Sequence, residues 1–503
     1  MATTEHPTSR PVGSASADGG DLSAAPRPAR TASTGGTRLA LAVLCAGVFM
    51  SSLDLFIVNL AFPAISHDFH GTDLATLSWV LNAYTIVVAA LLVPAGRWAD
   101  LVGRRRIFVT GLALFTLGSA LCGLAPGVGL LIAARVVQAT GAAMLIPASL
   151  SVLLAIVPPE GRPKAIGLWA AVGGMAAALG PVVGGVLVEA SWRWVFLVNL
   201  PVGIAALVLA PRVLPESRDD TTHTRPDVLG AGLLAVGIGL LALVLVRAPG
   251  WGWTSTRVLV LTTVVLLAFA LFVARCASHR APVIELALLR VRSFSGAFVA
   301  SLLFYAAFGA FVLNTVEFLT GVWHFSPLQA GLAIAPGPLM VLPFARLVAP
   351  ALALRLGGPA RVAALGCVVY AGGSLYWLTH IQATPAYVTH LLPAQLLGGI
   401  GVGLVIPSLV AAGTMALPPA RFGTGSGIIN MARQIGTVIG VAALIAILDG
   451  LHPADPIPTF RHGVVLIIGV ALAAGVASMA IGRLPSATAR RAVATGTARE
   501  AVA

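Results

Sequence analysis

Runs of about twenty apolar residues constrain this chain more than anything else in it. Each run is long enough to cross the ~30 Å hydrocarbon core of a bilayer as a helix. In that medium the backbone has to satisfy its own N–H and C=O groups, which leaves helices or closed barrels as spanning structures. The runs occupy 39–63, 76–95, 106–124, 129–154, 164–188, 193–213, 227–247, 257–275, 294–319, 327–349, 361–380, 390–412, 422–447 and 462–482. They predict an all-α polytopic membrane protein with fourteen transmembrane helices in a lipid bilayer. Composition agrees: 58% of the 503 residues are hydrophobic and 10% are charged, outside the usual mix of a soluble domain.

The formal net charge of +13 comes from single and clustered arginines between apolar runs, with no basic patch interleaved with aromatics, so nucleic acid is not an expected partner. Membrane topology explains the charge better. With the N-terminal tail placed in the cytoplasm, the inner connections hold Arg97, Arg104, Arg105, Arg106, Arg212, Arg290, Arg355 and Arg421, while the outer ones hold few basic residues, such as Arg193 and Arg247. The positive-inside rule then puts both termini in the cytoplasm. Residues 1–38 read as a disordered cytoplasmic tail and 483–503 as a second tail. Cys45, Cys122, Cys276 and Cys367 lie far apart without ligand spacing, so neither a disulfide framework nor a metal site is expected. No GxxxxGK[ST] phosphate loop occurs. The chain implies no cofactor and no enzyme.

An internal repeat divides the chain. Displaced by 260 residues and without gaps, the segment from Arg135 to Gly180 lies on that from Gln395 to Gly440. Gly141 then meets Gly401, and Pro147 meets Pro407. A repeat of this kind predicts two six-helix bundles, at 39–213 and 294–482, with two additional transmembrane helices in the linker 214–293. Arg135 falls opposite Gln395 and Pro181 opposite Val441, so charge and kink sit in the first bundle.

Four motifs then identify a family. LDLFIVNLAFP (53–63), SWVLNAYTIVVAALLVPAGRWADLVGRRR (78–106), RVVQATGAA (135–143) and LGPVVGGVLVEASWRWVFLVNLPVG (179–203) occur in order along a chain that resembles the fourteen-helix drug:proton antiporters of the major facilitator superfamily, the EmrB and QacA type. The resemblance extends from 39 to 482 and implies the major facilitator fold. It also implies proton-coupled efflux of an amphiphilic drug or antibiotic, a cationic one among the expectations, from a monomer in a bacterial inner membrane. Lys164 is the only lysine among 31 Lys and Arg residues, a GC-rich bias that suggests an actinomycete antibiotic-resistance exporter of the puromycin, methylenomycin or lincomycin type. Two other readings share the fold: a proton-coupled importer of a small metabolite, and a membrane sensor that no longer transports.

The resemblance assigns roles that the residues support physically. Gly96, Asp100, Gly103, Arg104 and Arg105 match the conformational latch on the cytoplasmic loop between helices two and three. Ala176, Gly180, Pro181, Gly184 and Gly185 match the antiporter-type fifth helix, in which small residues permit close packing and proline removes a backbone hydrogen bond. Asp54 lies nine residues before Pro63, taken as the outer end of helix one, or ~13 Å down. Arg135 is roughly 9 Å into helix four, so the two charges share a layer. Pairing relieves the cost of burying both and makes a proton site, because burial and a neighbouring arginine pull a carboxyl's protonation in opposite directions. Glu317, near the outer end of helix nine, is the second-half carboxylate and a further candidate for proton coupling. Phe56, Asn59, Asn82, Tyr84, Gln138, Tyr305, Asn314, Asn430 and Arg433 lie at depths suited to a drug cavity, with Phe56 where the family often has threonine.

Overall fold

A computed structural model describes residues 34–218, 224–415, 417, 421–449 and 455–481. The expected tail at 483–503 and residues 1–33 of the one expected at 1–38 lie outside the described residues. Among the described residues fourteen helices are long and apolar enough to cross a membrane. They are α1 Thr37–Asp68, α2 Leu74–Val102, α3 Arg104–Gly123, α4 Val128–Ile156, α5 Lys164–Ala190, α6 Trp194–Val213, α7 Val228–Trp251, α8 Thr256–Ser278, α9 Arg292–Gly321, α10 Pro327–Leu356, α11 Pro359–His380, α12 Leu392–Thr414, α13 Thr424–Leu448 and α14 Ile457–Met479. The chain is a multi-pass, all-α membrane protein.

One boundary departs from the sequence reading in a way that matters. Pro63 does not end α1; it lies inside a helix that continues to Asp68. Its neighbours Phe62 and Ile65 are buried, and that packing offsets the ~3 kcal/mol of an interior proline. Asp54 is therefore fourteen residues from the helix end, about 21 Å, rather than the shorter distance counted to Pro63.

The repeat is visible in the packing. In the first half α3 lies on α4, α2 on α4, and α1 on α5 and α6; in the second, α11 lies on α12, α10 on α12, and α9 on α13 and α14. Matched glycines do matched work. A Cβ on Gly141 of α4 would sit 2.5 Å from the Gly111 carbonyl oxygen of α3, and one on Gly401 of α12 would sit 2.8 Å from that of Gly366 of α11. Each glycine thus lets two helix backbones touch, the mechanism by which apolar helices associate in lipid.

The two halves meet along α2 with α13, α5 with α10, and more lightly α1 with α9. The additional hairpin covers this seam: α7 packs on both α2 and α13, while α8 leans on α7. Asp227 caps α7 through the Gly230 amide at 2.9 Å and accepts from Arg275 of α8 at 3.0 Å. Near the opposite end of α7, Arg247 pairs with Asp73 and donates to Thr76 at 2.9 Å. Burial pushes the Asp73 carboxyl up, but its Thr76 and Arg247 donors more than reverse this and hold it below the usual carboxylate range.

Because Gly141 and Gly401 are contact points between backbones, Gly141→Val and Gly401→Val should each destabilise the protein by at least the ~1–3 kcal/mol typical of overpacking. Gly174→Ala, with open space around it, should not. Thermal unfolding of the purified chain reads this difference, and a Gly141→Val protein as stable as the parent would contradict the packing.

Candidate functional site

Four helices bring their polar side chains to one dry point in the first half. Asp54 of α1 is 0% exposed and Arg135 of α4 is 1% exposed. Arg135 Nη1 donates to Asp54 Oδ2 at 2.5 Å and to Gln138 Oε1 at 2.6 Å, while its Nε donates to the Val80 carbonyl of α2 at 3.0 Å. Gln138 Nε2 donates in turn to Asp54 Oδ1 at 2.8 Å and to Ser119 Oγ of α3 at 2.8 Å. The Arg135 guanidinium also stacks 4.1 Å from the Tyr84 ring centre. Both carboxylate oxygens have donors, and the opposite charges cancel, which is the condition under which an intramembrane ion pair is tolerable.

Small residues make this convergence possible. A Cβ on Gly118 would lie 2.5 Å from the Gln138 amide nitrogen, so α3 and α4 run in backbone contact and Ser119 reaches Gln138. Arg135 and Gln138 are three residues apart and share a helix face, a spacing that points to Gln138 as a partner of the pair. Ser119 and the Val80 carbonyl carry no such signal in the sequence.

A second cluster gathers at the arginine-rich face. Arg104 reaches back to Asp100 at 3.0 Å. The backbone amide of Arg105 donates to Glu216 Oε1 at 3.1 Å, and the Arg105 and Arg106 side chains lie 3.7 Å from the same carboxylate. Gly103 turns the loop at φ +128°, and a Cβ there would press to 2.6 Å on Glu216. Gly96, about two turns earlier, approaches Pro147 of α4. The loop between α2 and α3 is thereby fastened to the segment after α6. Glu285, just before α9, bridges Arg97 of α2 at 3.5 Å and Arg421 before α13 at 3.4 Å. Neither Glu216 nor Glu285 stands out in the sequence.

The fifth helix is packed on two sides. Cβ atoms added at Gly180 and Gly184 would lie 2.8 Å from Phe56 and Ile57 of α1, and Ala176 is fully buried. Across the seam, a Cβ on Gly185 would lie 2.8 Å from Leu328 of α10, and one on Gly331 would collide with the Pro181 carbonyl. The Glu189 carboxylate accepts from the Leu328 amide at 3.2 Å. This contact is dense at the first two turns of α10 and thins along the remainder of that helix toward the arginine-rich face.

The remaining sequence candidates separate by location. Tyr84 and Gln138 belong to the ion-pair cluster. Asn59 donates to its own helix at the Leu55 carbonyl, 2.9 Å away, and Asn82 is buried. Asn314 faces Gly463 of α14 and is fully buried with both amide atoms unpartnered. Glu317, one turn further along α9, has an unpartnered Oε1 and is not among the partners of Asp54 or Arg135. At the seam, Arg433 donates to Asn430 at 2.7 Å and lies 4.4 Å from the Tyr305 ring centre. Phe308 bridges Tyr305, at 5.8 Å, to Phe56 of the first half, at 6.5 Å. Among the described residues no group of three or more His, Cys, Asp or Glu could hold a metal ion.

Comparison with known proteins places this architecture. The family model described as Major Facilitator Superfamily matches residues 44–441. The chain is 35% identical to the puromycin resistance protein pur8 of Streptomyces alboniger, over 87% of this chain and 88% of that protein. It is 31% identical to the methylenomycin A resistance protein of Streptomyces coelicolor, over 90% of this chain and 94% of that one. Among solved structures, a peptide transporter POT in complex with sulfate superposes with a TM-score of 0.64 at 18% identity, covering 88% of this chain and 94% of that one. At that identity the likeness is one of fold.

The buried pair should behave as a unit. Arg135→Met leaves Asp54 charged and unpaired, a loss of ~3–5 kcal/mol, whereas the double variant Asp54→Leu/Arg135→Met removes both charges and should recover most of that stability. Unfolding midpoints of the three proteins measure the coupling, and additive losses would show that the two side chains act independently.

Proposed function

The chain belongs to the Major Facilitator Superfamily, and from that membership we infer that it is an efflux transporter that exports an antibiotic or other amphiphilic drug in exchange for protons. Its relatives named for resistance to puromycin and methylenomycin support the drug-export half of this reading. The observation that carries the exchange is the Asp54–Arg135–Gln138 cluster, a carboxylate held without solvent between two donors.

A proton arriving at Asp54 cancels the charge that Arg135 faces. The guanidinium retains the Val80 carbonyl and the Tyr84 ring, while α1 is released from its tightest tie to α4. Phe56, two residues along α1, rests on Gly180, and the adjoining Pro181 rests on Gly331 of the other half. Protonation and the seam between the halves are thus linked by continuous packing. The bundles 39–213 and 294–482 rock about that seam, with α5 as the pivot. The loop fastened by Asp100, Arg104 and Glu216 latches the arginine-rich face. The positive-inside rule supports a cytoplasmic placement of that face and both termini, in the bacterial inner membrane that the resistance-protein relatives suggest. Glu317, half-buried on α9 with its Oε1 buried and unpartnered, is the candidate for a second proton position.

The driving force suffices. One charge crossing 100 mV supplies ~2.3 kcal/mol, and about 1.4 kcal/mol is a tenfold concentration ratio.

Asp54→Asn keeps the shape of the cluster and abolishes its titration. In a pump-deficient host this variant should reach the membrane at the parental level yet lose resistance across a panel of amphiphilic drugs. In vesicles, drug addition should release protons from the parent protein and not from the variant. Full resistance with Asp54→Asn would overturn proton exchange at this site.

A further inference from the structure

Among the described residues, Arg433 of the second half has no counter-charge. Arg433 lies nine residues into α13, roughly 13 Å along a membrane-spanning helix, and such a charge is expensive unless something neutralises it. Arg135 solves that problem with Asp54. Among the described residues no carboxylate lies within ion-pair distance of Arg433. Instead its Nη1 donates to the neutral Asn430 side chain, its guanidinium rests on the Tyr305 ring, and its Nε has no partner. Tyr305 Oη is likewise unpartnered.

The surroundings state what is missing. Arg433 and Asn430 are half-buried rather than sealed, at the seam where Phe308 and Phe56 carry an aromatic wall from one half to the other. Two unused donors and a positive charge converge beside flat apolar faces. Of the two side-chain acceptors in the group, Asn430 Oδ1 is already occupied by Arg433, and the Tyr305 hydroxyl oxygen sits on the ring that the same guanidinium covers. A cationic compound would meet like charge there, which is discrimination by repulsion. An anionic oxygen would take a charge-assisted bond from the guanidinium.

We propose that Arg433, Tyr305 and Asn430 form a subsite for an anionic oxygen attached to an aromatic ring system, a carboxylate or phenolate, and that the exported compound carries such a group. The proposal rests on the drug-export reading and names its substrate class. It narrows the amphiphilic compound of the sequence expectations to an anionic one.

Anthracene-carboxylate and anthracene-methylammonium differ only in the charged group and serve as probes. Equilibrium dialysis against the purified full-length chain, without a proton gradient, should show the carboxylate bound at least about tenfold more tightly. Arg433→Gln should erase that preference, and Arg433→Lys, which keeps the charge, should retain most of it. Preference for the ammonium probe, no saturable binding of the carboxylate, or a preference that survives Arg433→Gln would each overturn the subsite. Because no gradient is applied, a failure here leaves the vesicle result with Asp54→Asn standing, and a failure there leaves this one standing.

Discussion

The ion pair between Asp54 and Arg135 is the constraint around which the first half is built. Two full charges in hydrocarbon require every donor and acceptor around them to be placed. The chain meets that requirement with Gln138 from α4, Ser119 from α3, the Val80 carbonyl and Tyr84 ring from α2, and α1 itself. Ser119 could not arrive without the α3–α4 backbone contacts at Gly118 and Gly141. The small residues of this half therefore serve the charges as much as the packing.

The second half keeps the same helix contacts without that centre. Gln395, the repeat partner of Arg135, has an unpartnered Nε2. The neighbouring volume is filled by aromatic edges, with Phe304 against Tyr370, Tyr370 against Phe311, and Phe311 and Phe318 against Trp377. An aromatic cluster in one bundle and an ion pair in the other set the two apart. The first holds a buried carboxylate against an arginine; the second brings Arg433 and Tyr305 to the seam. Phe56 touches both, through Gly180 on its own side and Phe308 across the seam.

Much of this was legible in the sequence, for physical reasons. A bilayer imposes a length on apolar runs, so the fourteen helices could be counted, and glycines that permit backbone contact persist through a repeat, so Gly141 and Gly401 aligned. Asp54 and Arg135 stood out because charge in an apolar run demands explanation. What escaped was whatever depends on tertiary placement. Glu216 and Glu285 look like ordinary loop acids until Arg105 and Arg421 are folded beside them. Ser119 is one small residue among many in α3. Pro63 suggests a helix end by local propensity, yet burial of Phe62 and Ile65 overrides it. Tyr84 has the polarity of a cavity residue, and only the approach of α2 assigns it to the ion pair.

The central claim is that the charge on Asp54 sets the arrangement of the two halves, and electron spin distance measurement tests it most directly. Spin labels at Gly127, between α3 and α4, and Ala383, between α11 and α12, report across the seam on the face away from the arginines. The account predicts that acidification changes the distance distribution of the otherwise native protein, and that Asp54→Asn holds the acid distribution at every pH. Identical pH-dependent distributions with and without Asp54→Asn would contradict it.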